Sequence, residues 1–198
     1  MAKTGLSKAY YAIYNANNGA PTYSGGGVFG KAVDADISLD GSDPVIFYAD
    51  NGPAESAQTF SGGTLTITND RFDLRVVAAV LGLTVDTIQT PAAGIGLDFP
   101  ADLSVPYVGY GTIFRDQVDN VPAFRPIVLL KTQFQVPADA GSTQEETVEF
   151  EGHEFTATIM RSDETQHRWK RMARFDTESD AEAWIKSILN IPATTPGG

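Results

Sequence analysis

The chain has 198 residues, 42% of them hydrophobic and 20% charged, which is typical of a folded globular protein and suits one domain with long loops. Twenty-five acidic residues against fourteen basic ones give a formal charge of -11, which disfavours tight binding to nucleic-acid phosphates. There is no cysteine, so disulfides, thiolate nucleophiles and cysteine-ligated zinc are excluded.

The N-terminal part of the chain predicts strands separated by glycine-rich segments. Residues 1–8 are predicted to be an N-terminal arm, and the aromatic and β-branched residues 9–14 a strand. The Asn- and Gly-rich residues 15–30 predict a long loop. In residues 33–40 apolar and polar side chains alternate strictly, which is the period of a strand with one face in water.

Two further strands and a loop are predicted before the first helix. Residues 45–48 are apolar and aromatic and predict a short buried strand that ends in a turn. A loop then follows over residues 50–59. Alternation in residues 58–68 predicts the next strand, in which Gly62 and Gly63 indicate a bulge or a close approach of two backbones.

A change of period marks the first predicted helix. From Asn69 or Asp70 onward the apolar residues fall on one helical face, and Gly82 is placed as a C-cap. The Gly- and Pro-punctuated residues 83–100 form a connection to which no local structure is assigned. The longest apolar run, residues 76–81, is too short to span a bilayer, so we expect a soluble product that starts in the cytoplasm.

The second half is predicted to be rich in strands. The candidates are residues 107–116, residues 127–136, residues 147–151 continuing through Gly152 to 155–160, and residues 169–175. Polar breaks separate the last three of these, which predicts that they form a meander. A basic aromatic stretch, residues 166–171, favours an exposed edge strand or an interface over an RNA contact.

A second helix is predicted near the C-terminus. Thr177 and Asp180 stand in capping-box-like positions, the helix runs to Leu189, and residues 190–198 form a flexible tail. No internal repeat or composition shift divides the chain, so residues 1–198 are predicted to be one domain. The fold class is α+β and mainly β.

The chemical motifs are weak. Asp36, Ser38, Asp40 and Gly41 imitate the start of an EF-hand calcium loop, but the twelfth position is Phe47, so no metal is predicted. The glycine clusters at 25–27 and 62–63 continue into strand-like sequence, so no phosphate cradle and no cofactor is predicted either.

Catalytic constellations are equally weak. His153 and His167 lie in no motif that predicts a Ser-His-Asp site, and His153 is expected to be a solvated loop residue. Acid pairs such as Asp98 with Asp116, or Glu149 with Glu151, could be nominated for glycoside hydrolysis, but nothing selects one of them. We therefore do not expect an enzyme.

Several segments occur in a characteristic order: residues 9–14, 32–37, 46–50, 105–111, 124–134, 149–152, 158–160, Trp169 and 175–185. Their order and spacing resemble the major tail proteins, also called tail tube proteins, of bacteriophages with long non-contractile tails (siphoviruses). The resemblance extends from about Gly5 to Leu189 and departs from the family mainly in residues 91–102 and 137–144.

This resemblance implies a structural subunit of the virion. It implies a β-sandwich or barrel-like fold with a flanking helix and a C-terminal helix, which assembles into hexameric rings that stack into a tube. Viral DNA would pass through the channel during genome ejection without tight binding. The implied partners are other copies of the chain and the tape measure, tail terminator and tail tip proteins, with no membrane, after synthesis in the host cytoplasm.

The acidic balance then becomes a prediction about the channel wall, because carboxylates repel a passing polyanion. Long polar loops are predicted to reach neighbouring subunits or rings. The candidate lumen-facing acids are Asp34, Asp36, Asp40, Glu149 and Glu151. The candidate loop residues are Gly25, Gly26, Gly27, Asp50, Asn51 and Glu55, together with the C-terminal tail.

Two other functions compete with this one. The first is a carbohydrate- or receptor-binding β-sandwich module of a tail tip or a cell surface, with Tyr107 and Tyr110 as exposed stacking platforms. The second is a hydrolase on a β scaffold, which needs two acids or a Ser-His pair converging in one pocket.

Overall fold

The computed structural model describes residues 2–17, 19–40, 45–49, 52–57, 60–89, 91–118, 121–138 and 152–192; for residues 2–4, 45–49, 52–57 and 118 it describes the backbone only. Within these ranges the fold is α+β and mainly β, as predicted, with one eight-stranded sheet, two separate hairpins and two helices.

The strands of the large sheet are β1 (Ala2–Asn15), β2 (Thr22–Gly30), β3 (Ala32–Leu39), β6 (Gly63–Asn69), β9 (Val108–Val118), β10 (Val121–Phe134), β11 (His153–Met160) and β12 (Lys170–Met172). The hairpins are β4 (Val45–Ala49) with β5 (Gly52–Ala57), and β7 (Val85–Ile88) with β8 (Gly94–Leu97). The helices are α1 (Leu74–Leu81) and α2 (Glu178–Ile188).

The large sheet curls back on itself. Its strand order is β2-β1-β9-β10-β11-β6-β3, with β12 paired to β10 beside this path. The first and last strands of this order, β2 and β3, are separated in the chain only by Lys31. One long bent strand therefore pairs with β1 through its first half and with β6 through its second half, which holds the two ends of the sheet together.

The main core lies inside this curl. Phe29 on β2 is 2% exposed and its ring lies 5.2 Å from each of the rings of Phe134 and Phe155. Tyr11 and Tyr110 approach the same ring edge-on, both at 6.0 Å. Helix α1 adds Val77, Val80 and Leu81 to this core. Aromatic burial on this scale makes the interior of the curl the principal stabilising element.

A second core lies between helix α2 and the outer face of β1, β9 and β10. Ala181, Ile185 and Leu189 of the helix are fully buried there. The helix approaches closely because Gly111 has no side chain: a Cβ atom at Gly111 would lie 2.6 Å from Cγ2 of Ile185. Helix α2 therefore covers only this part of the outer face and leaves β3, β6 and β11 outside its footprint.

Both helices have the predicted caps. The Asp73 carboxylate accepts a hydrogen bond from the Arg75 amide at the start of α1, and Gly82 ends the helix with φ of 71°. The predicted start at residue 69 or 70 is wrong, because β6 continues to Asn69. In α2 the Thr177 hydroxyl accepts from the Asp180 amide at 3.2 Å, which confirms the predicted N-terminus.

Three predicted loops or arms are strands in the structure. Residues 2–8, predicted to be an arm, are the first part of β1 and pair with β9. Residues 22–30 of the predicted long loop are β2, because Phe29 and Tyr23 are buried while residues between them pair with β1. In the predicted loop 50–59, residues 52–57 are β5, paired with β4; residues 50, 51, 58 and 59 lie outside the described ranges.

The C-terminal strands pair differently from the predicted meander. β10 pairs with β11 through residues 131–134 and with β12 through residues 127–129, so β12 does not pair with β11. The predicted tail also starts too early, because Ile191 donates its amide to Lys186 and packs against the second core. The predicted edge strand near residue 170 is confirmed as β12.

Among the described residues, neither α1 nor α2 combines the length and the apolar character that a membrane-spanning helix needs.

An ion-pair cluster ties the N-terminal strand to α2. The Glu182 carboxylate binds the Lys8 ammonium and, at 2.6 Å, the Lys186 ammonium. Burial opposes ionisation of Glu182, but hydrogen bonds from Lys186 and Lys8 outweigh it and lower the pKa of Glu182 to about 2 from 4.5.

This cluster predicts a specific acid sensitivity. A depressed pKa in the folded state stabilises the fold above pH 4.5, and that contribution disappears as the pH falls towards 2. We expect the difference in free energy of unfolding between the wild type and Glu182→Gln to shrink across this interval, measured by urea denaturation at several pH values. Lys186→Met removes one of the hydrogen bonds that lower the pKa of Glu182, so the pKa should lie closer to 4.5 and the pH range of the loss should be narrower. A difference in free energy of unfolding that stays constant with pH would contradict the lowered pKa of Glu182.

Candidate assembly surfaces

The outer side of β3, β6 and β11 is polar, and its described side chains are exposed or half-buried. Side chains on these strands alternate, and the inward set, which includes Ala35, Leu65 and Phe155, is buried in the main core. The outward set forms three rows of directly opposed residues, which we name the threonine face. The rows are Asp34–Thr68–Glu154, Asp36–Thr66–Thr156 and Ser38–Thr64–Thr158.

The charge on the threonine face has one sign. Asp34, Asp36 and Glu154 are exposed, and β3, β6 and β11 contain no lysine or arginine. On the neighbouring β10, Lys131 points to the same side, but its side chain is 11% exposed and its ammonium is bound to the Asp163 carboxylate at 2.8 Å. A polyanion passing this surface would meet carboxylates and neutral hydroxyls.

Threonine suits a strand surface that must be stable and must not attract a polyanion. Its β-branched side chain favours extended backbone, so the rows support the strands that carry them. Its hydroxyl is polar and uncharged, so it is solvated by water and adds no positive charge that would hold a polyanion. The threonine rows therefore support the strands without offsetting the negative charge of the face.

The structure brings together part of the predicted lumen-facing set. Asp34 and Asp36 lie on the threonine face, two residues apart on one strand. Asp40 is exposed just beyond β3, where its amide donates to the Gly62 carbonyl at 3.1 Å. Glu149 and Glu151 lie outside the described residues. Glu154 was missed, although the alternation in residues 153–160 places it on the same face as the threonines.

Of the candidate loop residues at 25–27, 50, 51 and 55, those that the structure describes lie in strands. Gly25, Gly26 and Gly27 lie within β2, so they do not form a projecting loop. Gly26 is the site of a close approach, since a Cβ atom there would lie 2.6 Å from Cγ1 of Ile191. Asp50 and Asn51 lie outside the described residues, and Glu55 is on β5, where only the backbone is described.

The close approach predicted near Gly62 and Gly63 is confirmed. A Cβ atom on Gly63 would lie 2.6 Å from the Ser38 carbonyl oxygen, and Gly62 has φ of 152°. The two glycines let β3 and β6 meet at the end of the threonine face.

The alternative binding module loses one of its two platforms. Tyr110 is 1% exposed in the main core, so it offers no ring to a sugar. Tyr107 is 39% exposed, but the Lys131 ammonium lies 4.4 Å from its ring centroid. The prediction that Tyr110 is an exposed stacking residue is therefore wrong.

The candidate catalytic residues that lie within the described ranges occupy different environments. The Asp116 carboxylate is buried and receives two hydrogen bonds from Arg125, at 2.6 and 3.2 Å, while Asp98 is exposed. His153 begins β11 and lies against Phe72, so it is an exposed strand residue and not a loop residue. Within the described ranges, His, Asp and Glu side chains form no group of three that could hold a metal ion.

A pocket of about 610 Å³ lies between α2, the start of β2 and residues 162–171. We name it the α2 pocket. Trp184 and Ile188 line it from the helix, and Arg171 and Glu164 line it from the opposite side. Hydrogen bonding from Arg168, at 2.7 and 2.8 Å, lowers the pKa of Glu164 and keeps it ionised. Glu164 is the one carboxylate among the lining residues, so the pocket does not supply an acid pair.

Neither a scan against protein-family models nor a search of curated proteins finds a match to this chain.

Proposed function

We propose that this protein is the structural subunit of a bacteriophage tail tube, which assembles into stacked hexameric rings around a channel for viral DNA. The observation that carries the proposal is the threonine face, a polar strand surface with exposed carboxylates and no lysine or arginine on its three strands. It is the surface that the channel wall requires, and helix α2 covers the other part of the outer face.

The electrostatic argument sets how this surface would act. Lysine and arginine bind DNA because they release the counterions condensed on its phosphates, and each such contact slows a moving duplex. A wall of carboxylates and hydroxyls makes no such contact. Repeated around every ring, Asp34, Asp36 and Glu154 would keep the duplex in the water-filled centre of the channel.

The sheet also supplies open edges for assembly. β2 and β3 end the order of the large sheet, and among the described residues β12 pairs with β10 alone. An unpaired strand edge presents free backbone N–H and C=O groups that can pair with another chain. In a ring of identical subunits, the neighbouring copy covers these edges. The same fold without assembly would leave these edges in water.

Negative-stain electron microscopy of the concentrated protein tests the proposal. We expect rings or filaments with a central hole. Uniform small particles at every concentration would count against a tube and favour a monomeric binding module.

A further inference from the structure

The β7–β8 hairpin and the residues that follow it form an apolar projection. Among the described residues, β7 and β8 pair only with each other. The hairpin lies against α1, and Leu97 packs against the main core, which supports a two-stranded unit that would be marginally stable alone. Its exposed apolar side chains are Val85, Ile88, Ile95 and Phe99, at 40, 41, 38 and 51%. This amount of exposed apolar surface marks a contact site.

The projection is also purely acidic. No lysine or arginine occurs from residue 76 to residue 114. Asp86, Asp98 and Asp102 are exposed, and within the described ranges none of them forms an ion pair. Directly after β8, at the base of the hairpin, Asp98 and Phe99 place a carboxylate next to an aromatic ring that is 51% exposed.

The α2 pocket has the complementary chemistry. Trp184 and Ile188 provide an apolar wall, and Arg171 lies opposite. The Nε atom of Arg171 is buried without a hydrogen-bond partner among the described residues, and its Nη2 atom lies 3.6 Å from Glu164. Arg161 and Arg174 are exposed and unpaired in the same part of the described chain. A pocket with an indole ring on one wall and a guanidinium on the other suits an aromatic group that arrives with a carboxylate.

We propose that Phe99 of one copy enters the α2 pocket of a second copy, where its neighbour Asp98 accepts a hydrogen bond from Arg171. The pocket volume of about 610 Å³ is larger than a phenyl ring needs. The two surfaces are different, so the contact is heterologous and continues from copy to copy into a ring or a chain. The inference rests on the proposed self-assembly and identifies one of its contacts.

Engineered disulfides test the contact. Because the chain has no cysteine, no native thiol can form a competing disulfide. Ala101, two residues beyond Phe99, and Ser187, on the pocket rim, are both exposed. In the double variant Ala101→Cys with Ser187→Cys, oxidation is expected to produce a ladder of dimers, trimers and larger species on a non-reducing gel. Each single variant should give no ladder, and neither should Ser38→Cys with Ser187→Cys, which moves the first cysteine to the threonine face.

Substitutions at the contact provide the second test, with self-association measured by sedimentation velocity. Phe99→Ser should weaken self-association roughly 30-fold, which is the effect of removing an interface hot spot. Asp98→Arg and Arg171→Asp should each weaken it, and the double variant should recover association. Asp86→Arg is the matched control on the same hairpin and should have a smaller effect.

The outcomes separate this inference from the proposed function. A ladder together with rescue by the charge exchange supports the contact. Rings or tubes in the microscope without a ladder overturn the contact and leave the tube intact. Absence of both a ladder and any assembly overturns the contact and the tube together.

Discussion

Tubes built from the Asp36→Lys variant are expected to retain DNA that wild-type tubes release. Asp36 is exposed in the central row of the threonine face, opposite Thr66, so a lysine there needs no repacking. The substitution places a cation in every subunit around the proposed channel. Each new phosphate contact would steepen the dependence of log K on log salt by about 0.9. Sedimentation of assembled tubes with labelled DNA at several salt concentrations measures this.

The matched control makes the same change of charge elsewhere. Asp176 is exposed in the turn before α2, away from the threonine face, so Asp176→Lys should leave DNA retention unchanged. In an infectious phage the Asp36 variant should eject its genome more slowly, whereas the Asp176 variant should behave as the wild type. Equal retention by both variants would mean that net charge, and not the channel wall, determines the effect.

Phe29→Ala is expected to destabilise the fold by about 3–5 kcal/mol. The ring is 2% exposed and contacts the rings of Phe134 and Phe155 in the middle of the curled sheet, so truncation leaves a cavity that rigid neighbours cannot fill. Urea denaturation followed by fluorescence of the two tryptophans, at a concentration below assembly, measures the change.

The adjacent residue is the control. Val28 is 60% exposed, so Val28→Ala should change stability by no more than about 0.5 kcal/mol. A small effect of both substitutions would contradict the structure, because it is the result expected if residues 22–30 were a loop.

The segment around Phe29 shows why local patterns fall short here. Three consecutive glycines and the Asn-Gly pair before them are typical of loops, and only residues 28 and 29, a β-branched residue and an aromatic one, continue as a strand would. The strand forms because β1 offers an edge and because Gly26 leaves room for Ile191. Tertiary packing from residues far along the chain thus overrides local preference.

The local sequence was sufficient to predict an element where a hydrophobic period or a helix-capping residue determined it. Strict alternation in residues 33–40 predicted β3, and the left-handed Gly82 cap fixed the end of α1. The pairing of β12 with β10 depends on the long return of residues 161–169, for which the sequence carries no pairing signal.

The candidate surface was predictable only in part for a related reason. Alternation shows that Asp34 and Asp36 share a face with each other, and β3 does carry them outward. It cannot show that Glu154 joins them, because that depends on β6 lying between β3 and β11. Nor does it show which half of the outer face helix α2 covers. The helix packs where Gly111 leaves room for Ile185, and the sequence does not show that these two residues are in contact.

The most direct test of the account is a helical reconstruction of the assembled protein by electron cryomicroscopy. We predict stacked rings in which Asp34, Asp36 and Glu154 face the central channel and helix α2 lies outside it. Rings whose channel is lined by α2 or by the β7–β8 hairpin would contradict the central claim, as would a protein that remains monomeric under all conditions.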